Sequence, residues 1–405
     1  MAVKFTKPEI NVREKLAELD KPSGIAGEAM LRAETPQEQQ ALLGVGRKRM
    51  NANGDMRVWQ RGNQSSTIST RAADRYLIQI TGMGTVGATI DTDVPKVGGF
   101  SKSLKIACTA TGTLETAANL MLIHRMEGQD SQCTNYGTTN PEYLTLSFWI
   151  KSNKAGAISV NFENEDTSVV TGGSSADQGY QTKQYINSPE TWEYKTVTIE
   201  GDPYSPFAFN KNKGLCFEIV LSSASTTYDT GTPSAQWSLL NNNQRSVHND
   251  HYFGASTSNY YKITGIQLEL GKVATAFEHR SYGEELALCQ RYFYKAPSSN
   301  GYLYSMLGVH ATLGEIQYYP PVTMRTAPSV SLHDASPYWE VFPWNTVGND
   351  SIHITSIHSG HMSPDGHGQV GVFFSGTTGS YVTPNLVRGL NYVIRADFIS
   401  FEADL

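Results

Sequence analysis

Between Ile263 and Leu270 the side chains alternate, with Ile263, Gly265, Gln267 and Glu269 on one side and Thr264, Ile266, Leu268 and Leu270 on the other. Successive side chains on a strand point to opposite faces, so this period of two predicts a strand with one buried face. Gly271 ends the run. A short helical pattern follows from Gly283 to Gln290, then an aromatic strand pattern from Arg291 to Lys295. The stretch from Tyr260 to Tyr294 therefore closes one β-unit and opens another.

The same period recurs upstream. Strands are expected at Asn53–Gly62, Lys102–Gly112, Leu144–Ser152, Gly156–Asn164, Thr191–Gly201 and Gly214–Ser223. Their inward positions, Leu146, Phe148, Ile150, Val160, Val197, Ile199, Phe217 and Ile219, predict a core shared by two antiparallel sheets. The order and spacing of these strands resemble the jelly roll of carbohydrate-binding modules. In that pattern the opening strand pairs with the closing one, and an aromatic strand like Phe148-Trp149-Ile150 lies between. The class expected is mainly β: a short helical N-terminal segment (1–50), a jelly-roll β-sandwich (51–282) and a second C-terminal β-sandwich (283–405).

Long polar, glycine-rich stretches interrupt the strands at Gln64–Arg75, Gly82–Gly99, Ser168–Gln184 and Ala224–Phe253. Loops of sandwich proteins carry binding function. Aromatic rings stack on the apolar faces of sugar rings, which makes Trp237 with Tyr228 a candidate glycan platform; packing of these loops on a neighbouring subunit is the alternative. Asp55 and Glu269 are the acidic residues near the first and last strands, too few for a calcium ion that needs six to eight oxygens.

Residues 1–50 have a different character. Val12, Leu16 and Leu19 fall at helical spacing behind a capping Asn11. Thr35, Pro36 and Glu38 form a second helix start. Helices this short bury no core of their own. They either dock on a larger assembly, through Val12, Leu16 and Leu19, or fold back on the first β-domain.

From Arg291 onward, strand patterns recur at Tyr304–Thr312, Glu315–Met324, Ser329–Asp334, Ile352–Ser359, Gln369–Gly376 and Asn391–Leu405. Tyr338, Trp339, Phe342 and Trp344 crowd a stretch expected to be a loop. Either a receptor-contacting tip or a plug between subunits accounts for them, with Tyr338, Trp339 and Trp344 as the contact candidates. His353, His358 and His361 are the residues nearest to a metal set, but they lack tight His-x-His spacing; solvated loop histidines are the alternative.

The sequence Gln267-Leu-Glu-Leu-Gly, Ala274-Thr-Ala-Phe-Glu-His-Arg-Ser-Tyr-Gly-Glu-Glu-Leu-Ala-Leu-Cys-Gln-Arg-Tyr292 resembles a junction found in tail-fibre and related virion proteins of bacteriophages, particularly phages of aquatic bacteria. The terminal strand ending Phe-Glu-Ala-Asp-Leu405 extends that resemblance. It implies a homotrimer whose residues 1–50 dock on the phage tail or on adaptor and nozzle proteins. It also implies β-domains that bind a host-surface glycan or lipopolysaccharide. A lone lectin-like module and a head fibre or other virion component without receptor binding are the alternatives.

Composition agrees with a turn-rich β-protein: 39% of the 405 residues are hydrophobic, 17% are charged and 21 are Tyr. The net charge of −6 comes without a basic stripe, so no nucleic-acid partner is expected. No apolar run has the length of a bilayer span, and Met1–Ile10 lacks the apolar stretch of a signal peptide. Synthesis in the host cytoplasm and residence in a virion are the expected locations. Cys108, Cys133, Cys216 and Cys289 lack metal or redox spacing and are expected to be reduced. No nucleophile elbow, phosphate loop or zinc-protease motif occurs. The chain is expected to bind rather than catalyse, with no cofactor.

Overall fold

A computed structural model of the chain describes residues 49–166, 178–224, 235–239, 245–246, 252–297, 302–310, 313–318, 320–333, 339–343, 352–359, 370–376, 391–395 and 398–405. The expected N-terminal helices, with Val12, Leu16 and Leu19, lie outside the described residues.

Two six-stranded antiparallel sheets face each other. The first takes the order β1 (Gln64–Ser66), β3 (Thr85–Asp91), β4 (Ser103–Ala110), β12 (Tyr260–Leu270), β6 (Leu144–Ser152), β9 (Glu193–Ile199). The second runs β11 (Ser238–Leu239), β8 (Gln178–Ile186), β7 (Gly156–Asn164), β10 (Lys213–Ser223), β5 (Asn119–Glu127), β2 (Tyr76–Thr81). All eight expected core residues are buried in one cluster between the sheets. Strand β9 shows why: Val197 and Ile199 turn inward while Tyr194, Thr196 and Thr198 face solvent.

Six strands of the sandwich were not expected. Strands β1, β2, β3 and β11 fall in or beside stretches that read as polar insertions, and so does most of β8. Strand β5 is covered on both faces, so its sequence lacks alternation. The opening segment also departs from expectation. Residues 53–62 form turns and coil rather than a strand. Residues 50–54 still meet the closing strand: Met50 N donates to Leu268 O at 2.8 Å, Ile266 N to Gly54 O at 2.9 Å, and Leu268 N to Asn51 Oδ1 at 2.8 Å.

Strand β12 keeps its expected position but not its simple alternation. Ile263 pairs with Ile150 and Thr264 with Trp149, whereas Gln267 pairs with Ser147, so Gly265 and Ile266 together oppose Phe148. This bulge reverses the parity and turns Ile263, Ile266 and Leu268 all inward. Gly265 has φ +65°, and a Cβ there would stand 2.6 Å from Phe100 Cζ. The outer face of β12 is buried too, because residues 275–278 fold over it: Thr275 N donates to Glu269 Oε1 and Glu278 N to Gln267 Oε1, each at 2.8 Å.

The junction continues into helix α1 (Tyr282–Gln290), capped by Ser281, whose hydroxyl accepts from Glu284 N. Glu285 on this helix is fully buried. It forms a close ion pair with Arg49, accepts from Asn53 N at 2.5 Å and lies 3.7 Å from Arg280 Nη1. Arg280 in turn donates to the carbonyl of Asn51 at 3.1 Å, and the Arg49 guanidinium sits 4.9 Å from the Phe277 ring centre. The residues carrying the sequence resemblance thus clamp the opening segment to the closing strand.

Beyond α1, strands β13 (Phe293–Pro297), β21 (Phe398–Glu402) and β16 (Ser329–His333) form a small sheet. It is fastened to the sandwich by charge. Arg291 and Tyr292 both bond the buried Glu127 at 2.6 Å, and Asp404 lies among Arg61, Arg71 and Arg75.

Strands β14 (Tyr302–His310), β15 (Leu313–Tyr318), β19 (Val370–Gly376), β18 (Ile352–Ser359), β17 (Trp339–Pro343) and β20 (Asn391–Arg395) close a barrel in that order. The C-terminal unit is therefore antiparallel β as expected, with closure replacing a two-sheet arrangement. The aromatic stretch expected as a loop supplies β17. The long terminal strand divides into β20 in the barrel and β21 in the small sheet, so it serves both.

Candidate functional site

Three connections converge on one end of the sandwich, beside the start of β6 and the end of β9. The first runs from Asn135 to Tyr143. Asn135 and Gly137 adopt left-handed backbone there, with φ of +54° and +76°. The second follows β9. Asp202 is buried, accepts from Tyr204 N at 2.8 Å through Oδ1, and its carbonyl accepts from Gly137 N at 2.8 Å. Gly201 lets the two connections approach, since a Cβ there would stand 2.5 Å from Pro141 Cβ and 2.6 Å from Glu142 O. The third brings in Trp237, just before β11.

Between them lies an open cleft of about 730 Å³, lined by Asn140, Glu142, Tyr143, Glu200, Tyr204 and Trp237 among others. Its aromatic support is layered. Tyr136 stacks on Phe207 with centroids 5.6 Å apart, both buried, and Trp237 sets its edge against Tyr136 at 5.4 Å and against Tyr180 at 5.9 Å. The Trp237 indole donates to Glu200 O at 2.8 Å, which holds the ring half-buried. Tyr204 stands 73% exposed at the rim. Lys272 lies 4.5 Å from the Tyr143 ring centre.

Burial pushes the Tyr136 hydroxyl well above its ordinary pKa, and the charge of Asp202 adds to the rise. Tyr180 is shifted upward by burial, with Glu200 and Tyr143 contributing. Both phenols therefore stay protonated near neutral pH. The cleft combines ring surface that suits the C–H faces of a pyranose with carboxylate and amide groups that suit its hydroxyls.

Of the residues singled out from sequence, Trp237 lies in this cleft. Tyr228, Tyr338, Trp344 and His361 are outside the described residues. Backbone register places Trp339 opposite Ile354, His353 opposite Glu340, and His358 opposite Phe373, all within the barrel. Asp55 is paired with Arg57, and Glu269 with Thr275, so the two acids have separate partners. Among the described residues no group of three or more His, Cys, Asp or Glu has the arrangement of a metal site. The four cysteines are free, with Cys133 exposed. No described helix is long and apolar enough to cross a membrane.

Sequence reasoning missed Glu142, Tyr143, Glu200 and Tyr204. Their only signal is position: each flanks a predicted strand end. It also missed the carboxylates Glu163 and Glu218, buried side by side on β7 and β10, where Arg245 Nη1 reaches both at 2.7 Å. Burial and then Glu218 raise the pKa of Glu163.

No protein-family model matches the chain, and no curated protein does. Solved structures share a remote likeness. The enzymatically active domain of tailspike protein 4 from bacteriophage CBA120 aligns over 55% of this chain and 21% of its own, at 12% identity and a TM-score of 0.29. The CBM22-1 xylan-binding domain of Paenibacillus barcinonensis Xyn10C aligns over 57% of this chain and 100% of its own, at 10% identity and 0.27. A CBM4 structure aligns over 54% of this chain and 98% of its own, at 12% and 0.26. Likeness at this level transfers no role to the chain.

Proposed function

We propose that this chain is an adhesive protein of a bacteriophage tail fibre that binds a host-surface glycan, including the polysaccharide of lipopolysaccharide, without altering it. The cleft at Trp237 carries the proposal. It is open, aromatic and polar, and of a size for a few sugar rings. The sequence resemblance around Gln267–Tyr292 supports the fibre assignment. In that reading residues 1–50 dock on the tail, three chains associate, and several shallow contacts on one particle combine into firm attachment by raising effective concentration.

Binding of the full-length protein to a panel of bacterial surface polysaccharides is the test. Tyr204→Ala removes a ring that is mostly exposed, so it leaves the fold intact, and it is expected to weaken binding about tenfold. Trp237→Ala is expected to abolish binding through the cleft. Unchanged affinity in both variants overturns the proposal. Light scattering checks the trimer, and a monomeric mass for the isolated protein overturns a trimer that is stable off the particle.

A further inference from the structure

The outer face of the first sheet carries a second group of rings, remote from the cleft. Trp149 on β6 and Tyr194 on the edge strand β9 are cross-strand partners with ring centres 5.2 Å apart at 44°. Tyr194 is 43% exposed. Trp192 precedes β9 and donates its indole N–H to Asp93 Oδ1 at 3.1 Å. Tyr260 opens β12, with Lys262 Nζ 5.6 Å and Lys105 Nζ 5.7 Å from its ring centre.

Charged groups of both signs are interleaved with these rings, and two of the lysines are paired with aspartates. Asp93 accepts from Lys262 at 2.8 Å and from Lys151 at 3.0 Å, Asp91 lies 3.0 Å from Lys262, and Glu190 accepts from the Tyr260 hydroxyl. Lys151 and Lys262 meet Asp91 and Asp93, while Lys105 stands over the Tyr260 ring and Glu190 takes its hydroxyl; three lysines thus balance three carboxylates, leaving no net charge to draw an ionic ligand. Paired Lys and Asp among the rings also differ from the centre of a protein–protein contact, where charged residues are depleted. Neighbouring hydroxyls of a sugar fit such a surface: one donates to a carboxylate while the next accepts from an ammonium, and the ring's C–H face lies on the indole or phenol.

We propose that the face formed by Trp149, Tyr194, Trp192 and Tyr260 is a second carbohydrate-binding surface, specific for uncharged glycan chains. Tyr194 and Glu200 are six residues apart along β9, which at a rise of about 3.3 Å per residue places this surface roughly 20 Å from the cleft. A polysaccharide touching both surfaces binds one of them intramolecularly, which raises its overall affinity.

The experiment compares full-length wild type, Tyr194→Ala, Trp149→Ala/Tyr194→Ala, Trp237→Ala and Trp237→Ala/Tyr194→Ala on neutral and anionic polysaccharides by affinity electrophoresis, with thermal melts as the folding control. The proposal expects Trp237→Ala to retain binding to a neutral polysaccharide. Adding Tyr194→Ala to it should remove that remainder, and Tyr194→Ala alone should weaken neutral chains at least fivefold. Loss of all binding in Trp237→Ala overturns the proposal, as does full affinity in the folded Tyr194→Ala protein. Equal retention of anionic chains overturns the specificity. A fall in solution mass of Trp149→Ala/Tyr194→Ala, with affinity unchanged, makes the face a subunit interface and overturns it as well.

Discussion

The imidazole of His124 lies flat against Phe217, with ring centres 5.2 Å apart and planes within 3°. Tyr76 covers it at 5.1 Å, and neither ring nitrogen has a hydrogen-bond partner among the described residues. Burial lowers the pKa of His124 well below its ordinary 6.5, helped by Arg75, Arg49 and Arg125. The folded protein thus holds this ring neutral, while the unfolded chain takes up a proton as pH falls through about 6.5. Stability carried by the neutral ring is present above that pH and declines below it. In His124→Phe the decline should be shallower between pH 6.5 and 4.5. The change at pH 8 should stay within about 1.5 kcal/mol, because the ring's shape is nearly conserved. Urea melts at several pH values measure this, and parallel pH profiles for the two proteins would refute it.

Asp74 titrates in the opposite sense. Burial pushes its carboxyl up to about 7, against the opposing charge of Arg61 and hydrogen bonds from Gln60. The folded state holds the proton more tightly than the unfolded one. This contribution is complete below about pH 4 and is lost as pH rises through 7. Asp74→Asn should flatten the stability profile between pH 4 and 8. An unchanged slope would show that the carboxyl is ionised throughout.

Glu285 and Arg49 are both fully buried, and each is the other's counter-charge. Glu285→Ala leaves Arg49 and Arg280 without it and should cost about 3–5 kcal/mol. The paired change Arg49→Met/Glu285→Leu should cost less than Glu285→Ala alone. Chemical denaturation of Arg49→Met, Glu285→Leu and the paired variant completes the cycle, and additive costs would contradict the coupling.

Gly265→Ala places a Cβ at φ +65° and against Phe100. The left-handed backbone alone costs about 1–2 kcal/mol, and displacing the ring adds to it. The melting temperature should fall by several degrees, whereas Gly271→Ala, with φ +109° but open space around its Cβ, tests backbone strain without the ring. Equal losses in both would remove the role of Phe100.

Much of the sandwich was readable from the residues because one-sided burial writes a period of two into a strand. Leu146, Phe148 and Ile150 on β6, and Val197 and Ile199 on β9, declare their faces in this way. Strand β5 does not, since Met121 and Ile123 are covered on one side while Leu120 and Leu122 fill the core on the other. In β12 the alternation was visible but its sense was not, because the bulge at Gly265 reverses it midway.

Local sequence, then, determined the mainly β class, the core positions of the regular strands and the short helix that precedes Arg291. These depend on neighbours a few residues apart. Tertiary structure alone decided that Trp237 shares a cleft with Tyr143 and Tyr204, that Arg49 meets Glu285, and that the C-terminal strands close into a barrel. Those contacts join residues far apart in the chain, and what brings them together is pairing between sheets and the need of each buried charge for an opposite one; the spacing of residues along the sequence records neither.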